Sequence, residues 1–256
     1  MYYDTHAHLN ADNYQGNLQK IINEARDHKV KYLNVVGFNP KTNRLANQIA
    51  LNNANIYATC GLHPSEVQNF TNKDLADLES YLKQDITVAV GECGLDYHWH
   101  KETKMIQFEF FEKQIKLAKK YQKPLIIHVR DAINDSYEIL KETSSDGLLK
   151  GVMHCFSGSK EMAVKFLDLG LYLSLGGPVT FKNAIVPKEV AKIVPLDKLI
   201  IETDCPYLAP HPYRGKENKP SYLPIIATEI AKIKGISVEE VAYYTTENGK
   251  KLFKIL

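Results

Sequence analysis

The chain has 256 residues, of which 44% are hydrophobic and 24% charged, and its formal net charge is +2. This excludes a disordered, collagen-like or disulfide-scaffold chain and suits one barrel-sized domain over residues 1–256, whose core needs neither disulfides nor a structural metal. No run of 18 apolar residues occurs, and the opening MYYDTHAHLN lacks the basic and apolar regions of a signal peptide, so no membrane partner and a cytoplasmic location are expected.

Short apolar runs alternate with amphipathic stretches along the chain. Strand one is predicted at Tyr2–His8, then a helix over Asn17–His28 with Leu18, Ile21, Ile22 and Ala25 on one face. Strands two and three fall at Tyr32–Phe38 and Ile56–His63, a helix at Thr71–Leu82 and strand four at Thr87–Leu95. A helix over Phe108–Tyr121 leads to strand five at Pro124–Arg130. Strand six is Gly151–Phe156, followed by a helix at Lys160–Leu169, strand seven at Leu171–Gly176, a helix at Ala184–Ile193 and strand eight at Lys198–Asp204. Two helices close the chain, Leu223–Lys234 and Val238–Phe253, with Gly235 between them as a stop signal.

Most strand runs are continuously apolar, as in parallel strands covered by helices. Eight such units predict an α/β fold, a single (β/α)8 TIM-type barrel with an additional C-terminal helix. An open doubly wound sheet is the alternative, but neither GxGxxG nor GxxxxGK[ST] occurs.

The barrel reading gives the polar residues at the strand ends a meaning. His6 and His8 close strand one, Glu92 lies at the end of strand four, His128 at that of strand five, His154 of strand six and Asp204 of strand eight. In a barrel these ends converge on one mouth. The two-residue spacing of His6 and His8 places both on one face of a strand. An HxH pair alone is also compatible with two hydrogen-bonded core residues, whereas six metal-competent side chains at equivalent strand ends are poorly explained by packing. Four imidazoles and two carboxylates exceed one ion's needs. They suit two divalent ions bridged by Glu92, with Asp204 both a ligand and the acceptor of a proton from the attacking water. Imidazole-rich sites favour zinc, manganese, cobalt or nickel over magnesium. Cys93, Cys155 and Cys205 each follow a proposed ligand and are expected to pack outward as small apolar residues, and all four cysteines to stay reduced.

DTHAHLN at the start, GLHP at 61–64, GECGLDY at 91–97, PLIIHVRDA at 124–132, HCFSGS at 154–159 and ETDCPYLAP at 202–210 together resemble the TatD family of metal-dependent deoxyribonucleases. The resemblance implies an amidohydrolase-like barrel, DNA hydrolysis including exonuclease trimming from 3′ ends, roles in DNA repair or degradation, and metal ligands at His6, His8, Glu92, His128, His154 and Asp204. It also implies activity with magnesium, which stands against the softer ions that imidazoles favour. The loop PHPYRGKEN departs from the family pattern at His211 and Tyr213, which touches substrate preference rather than the chemistry.

Around this set, His63, which closes strand three, is expected to contact substrate phosphate or to support a ligand, with a capped structural histidine as the alternative, and Arg130 and Arg214 are expected to anchor phosphate oxygens. Glu202, two residues before Asp204, is expected to hydrogen-bond a ligand histidine. Lys182, Lys216 and Lys219 are candidates for a cationic rim or simply solvated. His98, Trp99 and His100 follow strand four in a loop, where Trp99 or Tyr97 suits base stacking better than the histidines suit a metal. The expected function is therefore metal-dependent hydrolysis of DNA phosphodiesters, on single strands or 3′ ends, by a monomer without an obligate protein partner. A small-molecule hydrolase of amides, lactones or phosphate esters is the alternative, disfavoured because such barrels often place a carboxylated lysine where Glu92 stands. A non-catalytic scaffold is opposed by the intact ligand set. The mild net charge permits a nucleic-acid partner without arguing for one.

Overall fold

Eight strands pair in chain order, all parallel, in the computed structural model, which describes residues 1–255. They are β1 (Tyr2–Ala7), β2 (Val30–Val36), β3 (Ile56–Cys60), β4 (Thr87–Asp96), β5 (Leu125–Arg130), β6 (Gly151–Met153), β7 (Tyr172–Leu175) and β8 (Leu199–Ile201). The first and last strands meet through a parallel bridge between Ala7 and Cys205. His8 N–H donates to the Cys205 carbonyl at 2.8 Å and Asp204 N–H to the His6 carbonyl at 2.9 Å. The predicted TIM-type barrel is therefore the observed fold, and closure leaves the sheet without free edges at this end.

The helices are α1 (Leu18–Asp27), α2 (Pro40–Leu51), α3 (Asn72–Leu82), α4 (Lys104–Tyr121), α5 (Ile133–Thr143), α6 (Lys160–Asp168), α7 (Val186–Ile193), α8 (Leu223–Lys234) and α9 (Val238–Phe253). Apolar periodicity does not reveal α2 and α5, for a physical reason. The inner face of α2 buries Thr42, Asn43 and Asn47 beside only Ala46 and Ala50, and that of α5 buries Ser136 with Ile139 and Leu140. Capping starts α2: Asn39 accepts the Thr42 N–H, Thr42 answers toward the Asn39 backbone, and Pro40 follows at a position where its missing N–H costs nothing.

Two apolar layers hold the barrel. The larger lies between strands and helices, with Phe111, Ile115, Phe166, Ile22 and Ile226 fully buried. Burying each such side chain contributes about 1.5–3 kcal/mol. The smaller gathers Tyr3, Tyr32, Val36, Val88, Ile126, Val152, Tyr172 and Ile200 from seven strands, and Leu252 and Phe253 at the end of α9 pack against it. The C-terminal helix thus plugs the barrel at the end remote from the strand C-termini.

Several strands end earlier than their apolar runs predict. β6 stops at Met153 rather than Phe156, β8 at Ile201 rather than Asp204, and β3 at Cys60 rather than His63. In β6 and β8 the ladder stops because the backbone leaves extended geometry just beyond, with positive φ at Cys155 (42°) and Asp204 (56°). The face-alternation argument therefore does not apply to Cys155, which is only half-buried, while Cys60, Cys93 and Cys205 are buried in the core. The cysteines are free.

Candidate metal centre

The six sequence-predicted donors do meet, at the C-terminal mouth of the barrel. His6 lies in β1 with His8 just beyond it, Glu92 lies within β4, His128 in β5, and His154 and Asp204 just past β6 and β8. A register shift against β5 between Val90 and Cys93 falls on Glu92, where the ladder is interrupted. The positive φ of Asp204 turns the chain at the end of β8. Non-glycine residues in such conformations collect at functional sites. His6 is fully buried, and Glu92 and Asp204 are 5% and 8% exposed.

The donors divide about the two oxygens of Glu92. Oε2 faces Nε2 of His6 at 3.5 Å and of His8 at 3.7 Å. Asp204 Oδ1 completes that group, 3.6 Å from His6 Nε2 and 3.4 Å from His8 Nε2. Oε1 faces His128 Nδ1 at 2.9 Å, His154 Nε2 at 3.4 Å and His63 Nε2 at 3.3 Å. The His6 and His154 rings stack at 3.8 Å between centroids.

Partners on the far side of each ring decide which nitrogen carries a hydrogen. His8 Nδ1 donates to the Val36 carbonyl at 3.0 Å, and His154 Nδ1 to Glu202 Oε1 at 2.8 Å, so in the neutral form that a cation binds both rings present an Nε2 lone pair to the centre. Glu202 also accepts the Cys155 N–H at 2.7 Å and the Ser174 hydroxyl at 2.6 Å. With its oxygens so engaged, Glu202 holds the His154 ring through the hydrogen bond expected for it. His128 Nε2 donates to Asp96 Oδ2 at 3.0 Å, leaving Nδ1 toward Glu92. His63 is different. Its Nδ1 accepts the Ser65 N–H at 3.1 Å, so the hydrogen sits on Nε2 and points at Glu92. His63 is thereby a donor toward the centre.

Asp96 is the residue that sequence reasoning missed. Strand parity was the available signal, because positions 92, 94 and 96 share a face and Gly94 pairs with His128 in register.

Charge is concentrated and compensated here. Burial pushes the Glu92 carboxyl up, but the imidazoles of His63 and His154 and hydrogen bonds from His128 and His6 hold it well below the usual range. Burial depresses His154, yet Glu202 and Glu92 outweigh it and raise its pKa to about 10. Asp204 is held low despite burial by its hydrogen bond from His8 and the nearby imidazoles. Next to the site, burial lifts Asp4 to about 7, against hydrogen bonds from the Thr203 hydroxyl and N–H.

The donor set fits divalent cations. Metal bonds of about 2.0–2.2 Å set ligand atoms about 3.0–3.6 Å apart around the ion. The Nε2 atoms of His6 and His8 stand 3.2 Å apart, and most other separations fall in or near that range. Two imidazole nitrogens facing each other beside two carboxylates make a poor hydrogen-bonded core and a good cation site. His6 Nδ1 also has no hydrogen-bond partner.

A cavity of about 230 Å³ opens onto this centre, lined by His8, His63, Glu92, His128, His154 and Asp204, together with Phe38, Ser65, Glu66 and Tyr207. Arg130 and Arg214 do not line it. The Arg130 guanidinium lies over the Trp99 ring at 5.4 Å and that of Arg214 over Phe181 at 4.4 Å. Lys219 is tied to Glu24, whereas Lys182 and Lys216 are exposed. His98 faces Asp131 and His100 faces Glu102, outside the centre. No helix among the described residues is long and apolar enough to cross a membrane.

Comparison with known proteins agrees with this picture. The TatD related DNase family matches residues 3–254. The chain is 49% identical to an uncharacterized metal-dependent hydrolase, YabD, of Bacillus subtilis over the full length of both, and 38% identical to the corresponding YcfH of Escherichia coli, covering 98% of this chain and 95% of that one. Among solved structures, the TatD homolog YJJV of Escherichia coli superposes with a TM-score of 0.94 at 27% identity, covering 100% of this chain and 98% of that one. A TatD family hydrolase of Entamoeba histolytica gives 0.86 at 25% identity, covering 98% and 97%. The chain belongs to the TatD family of metal-dependent hydrolases.

Proposed function

We propose that this hydrolase cleaves DNA phosphodiester bonds, removing nucleotides from the 3′ ends of single strands, with two divalent ions in its centre. The observation that carries the reading is the split of the Glu92 carboxylate. One oxygen serves the His6, His8 and Asp204 group and the other the His128 and His154 group. On this reading those six residues hold the ions, magnesium, manganese or zinc, and residues 1–256 act as one catalytic unit. Ions bound there would supply an acidified water and neutralise charge on the phosphate.

The protein's own residues do the rest. Asp204, beside His6 and His8, accepts the proton of the attacking water. His63, whose Nε2–H meets Glu92 at the cavity wall, turns that donor to a phosphate oxygen when substrate enters. Glu202 fixes His154 in the tautomer that presents Nε2. The cavity lies below the about 300–1,000 Å³ typical of drug-sized ligand sites, which favours one nucleotide unit over an enclosed duplex. Outside it, Trp99 is 63% exposed and backed by Arg130, a flat face with a cation that suits a stacked, unpaired base and its phosphate. Arg214, on its Phe181 ring, serves as a second phosphate anchor.

A small-molecule phosphate-ester hydrolase is the second reading, favoured by one feature: none of the ten cavity-lining residues is Lys or Arg. The test is cleavage of 3′-labelled and 5′-labelled single-stranded DNA by metal-stripped protein with magnesium, manganese or zinc restored, beside the His6→Ala/His8→Ala double variant. Metal-dependent shortening from the 3′ end, absent in the variant, is expected. No shortening by protein that holds two ions would transfer the assignment to the second reading.

A further inference from the structure

The cavity lining divides by chemistry. Six of its residues are the centre and its histidine donor. The remaining four, Phe38, Ser65, Glu66 and Tyr207, form a wall of two aromatic rings, a hydroxyl and a carboxylate. Glu66 is the anomaly, because an acid is a costly neighbour for a phosphate and no Lys or Arg in the lining offsets it.

Its placement is built rather than incidental. Glu66 lies in the 3-10 turn Pro64–Asn69 that follows His63. Both carboxylate oxygens accept from Asn39 Nδ2 at 3.1 Å. Asn39 is itself immobilised as the cap of α2, through the Thr42 N–H at 2.9 Å. The carboxylate is thus held at the cavity by a residue already committed elsewhere. Carboxylate oxygens are acceptors only, so the ligand group that meets Glu66 is a donor, a hydroxyl or an amine.

The aromatic residues border the same space. Phe38 and Tyr207 both stand edge-on to the His8 ring, at 5.5 and 5.9 Å, and Tyr207 is 54% exposed. One comes from the segment after β2 and the other from the segment after β8. Their faces offer sequence-tolerant contact to a sugar and base.

We propose that this wall is the subsite for the terminal nucleoside, and that Glu66 selects chain ends carrying a free hydroxyl against ends carrying a phosphate. The inference rests on the exonuclease reading above, which brings a chain end to the cavity; the selected group is then the 3′-hydroxyl. Glu66 accepts the hydroxyl's hydrogen bond and repels a terminal phosphate, while Phe38 and Tyr207 hold the nucleoside whatever its base.

The experiment compares kcat/KM of the metal-loaded enzyme on one single-stranded oligonucleotide ending in 3′-hydroxyl or 3′-phosphate, with bis(4-nitrophenyl) phosphate as a readout of the centre alone. The wild type is expected to prefer the hydroxyl end by at least about tenfold, the scale on which like-charge contacts discriminate. Glu66→Gln, nearly isosteric, should collapse that preference by slowing the hydroxyl end and accelerating the phosphate end. Phe38→Ala should raise KM for both ends and leave their ratio. Equal wild-type turnover of the two ends, or an unaltered ratio in Glu66→Gln, would overturn the role of Glu66 and leave the nuclease standing. Hydrolysis of the chromogenic diester with neither oligonucleotide shortened would remove the exonuclease reading and this inference with it.

Discussion

Asp96 holds His128 from the side away from the centre. Its Oδ2 lies 3.0 Å from Nε2, while Nδ1 of the same ring lies 2.9 Å from Glu92 Oε1. Asp96 is 2% exposed, and its other oxygen accepts the His98 N–H, so the carboxylate cannot swing to other partners. Removing it frees the ring to rotate and to exchange tautomers. Asp96→Ala should therefore lower metal affinity by about 10–100-fold. Asp96→Asn, which retains an acceptor oxygen, should lose less. Calorimetric titration of the stripped protein measures both, and wild-type affinity in Asp96→Ala would refute the support role.

The contrast between Asp96 and Asp204 marks what a sequence can reveal. Asp204 was legible because it closes the apolar run LIIETDCP, and a charge there has few packing explanations. Glu92 and the four histidines that meet it were legible in the same way, and so was the barrel, because strands buried on both faces are continuously apolar. Strand parity puts Asp96 on the face of Glu92, but its meeting with His128 depends on the register of β4 against β5, which local pattern does not carry. Arg130 was read as a phosphate anchor from its place two residues past His128, and Arg214 from its place in the loop after strand eight. Their seats on Trp99 and Phe181 arise from segments distant in sequence meeting in space. The helices α2 and α5 were missed because their buried faces are partly polar, so capping and tertiary contact, not periodicity, define them.

Asp204 is asked to hold an ion and to take a proton. Asp204→Asn keeps the shape and one oxygen but cannot act as a base. Loss of a positioned base costs about 10²–10⁴-fold in rate. A drop of that size in kcat, with metal content measured on the same sample, is expected. Full activity at unchanged metal content would assign the proton to another group.

Metal removal should destabilise the fold, because the donors are brought together only in the native state. Binding to the native state alone adds about 2.7 kcal/mol at a free ion concentration 100 times Kd. For a chain of this size each kcal/mol moves Tm by about 2–4 °C. Stripping the ions should thus lower Tm by about 5–10 °C, and Tm should climb again with added ion concentration. A melting temperature indifferent to chelator would mean that the mouth of the barrel is equally stable without cations.

Arg214 is exposed, yet its guanidinium is seated on Phe181, which reduces the entropy lost on gripping a phosphate. It lies outside the cavity, so its influence should fall on long substrates alone. Arg214→Ala is expected to reduce kcat/KM on single-stranded DNA by about tenfold, the worth of one charge-assisted contact, and to spare bis(4-nitrophenyl) phosphate. Equal losses on both substrates would place its effect in the catalytic centre.

Gly94 joins the two strands that carry Glu92 and His128, and it tests how closely the site depends on their approach. Its φ is 142°, and a Cβ there would stand 2.0 Å from the His128 carbonyl oxygen, its register partner in β5. Backbone carbonyls in the middle of a sheet cannot retreat as a flexible side chain can. Gly94→Ala should cost at least about 3 kcal/mol, combining a disallowed φ with a backbone clash. Gly147→Ala separates the two causes, since Gly147 also has positive φ, 68°, but nothing within 4 Å of its added Cβ. That control should cost about 1–2 kcal/mol, the ordinary penalty of a left-handed alanine. Chemical denaturation of both variants without metal reads the difference directly. If the two lose the same stability, β4 and β5 tolerate separation at Gly94, and the spacing of Glu92 from His128 is set by other contacts.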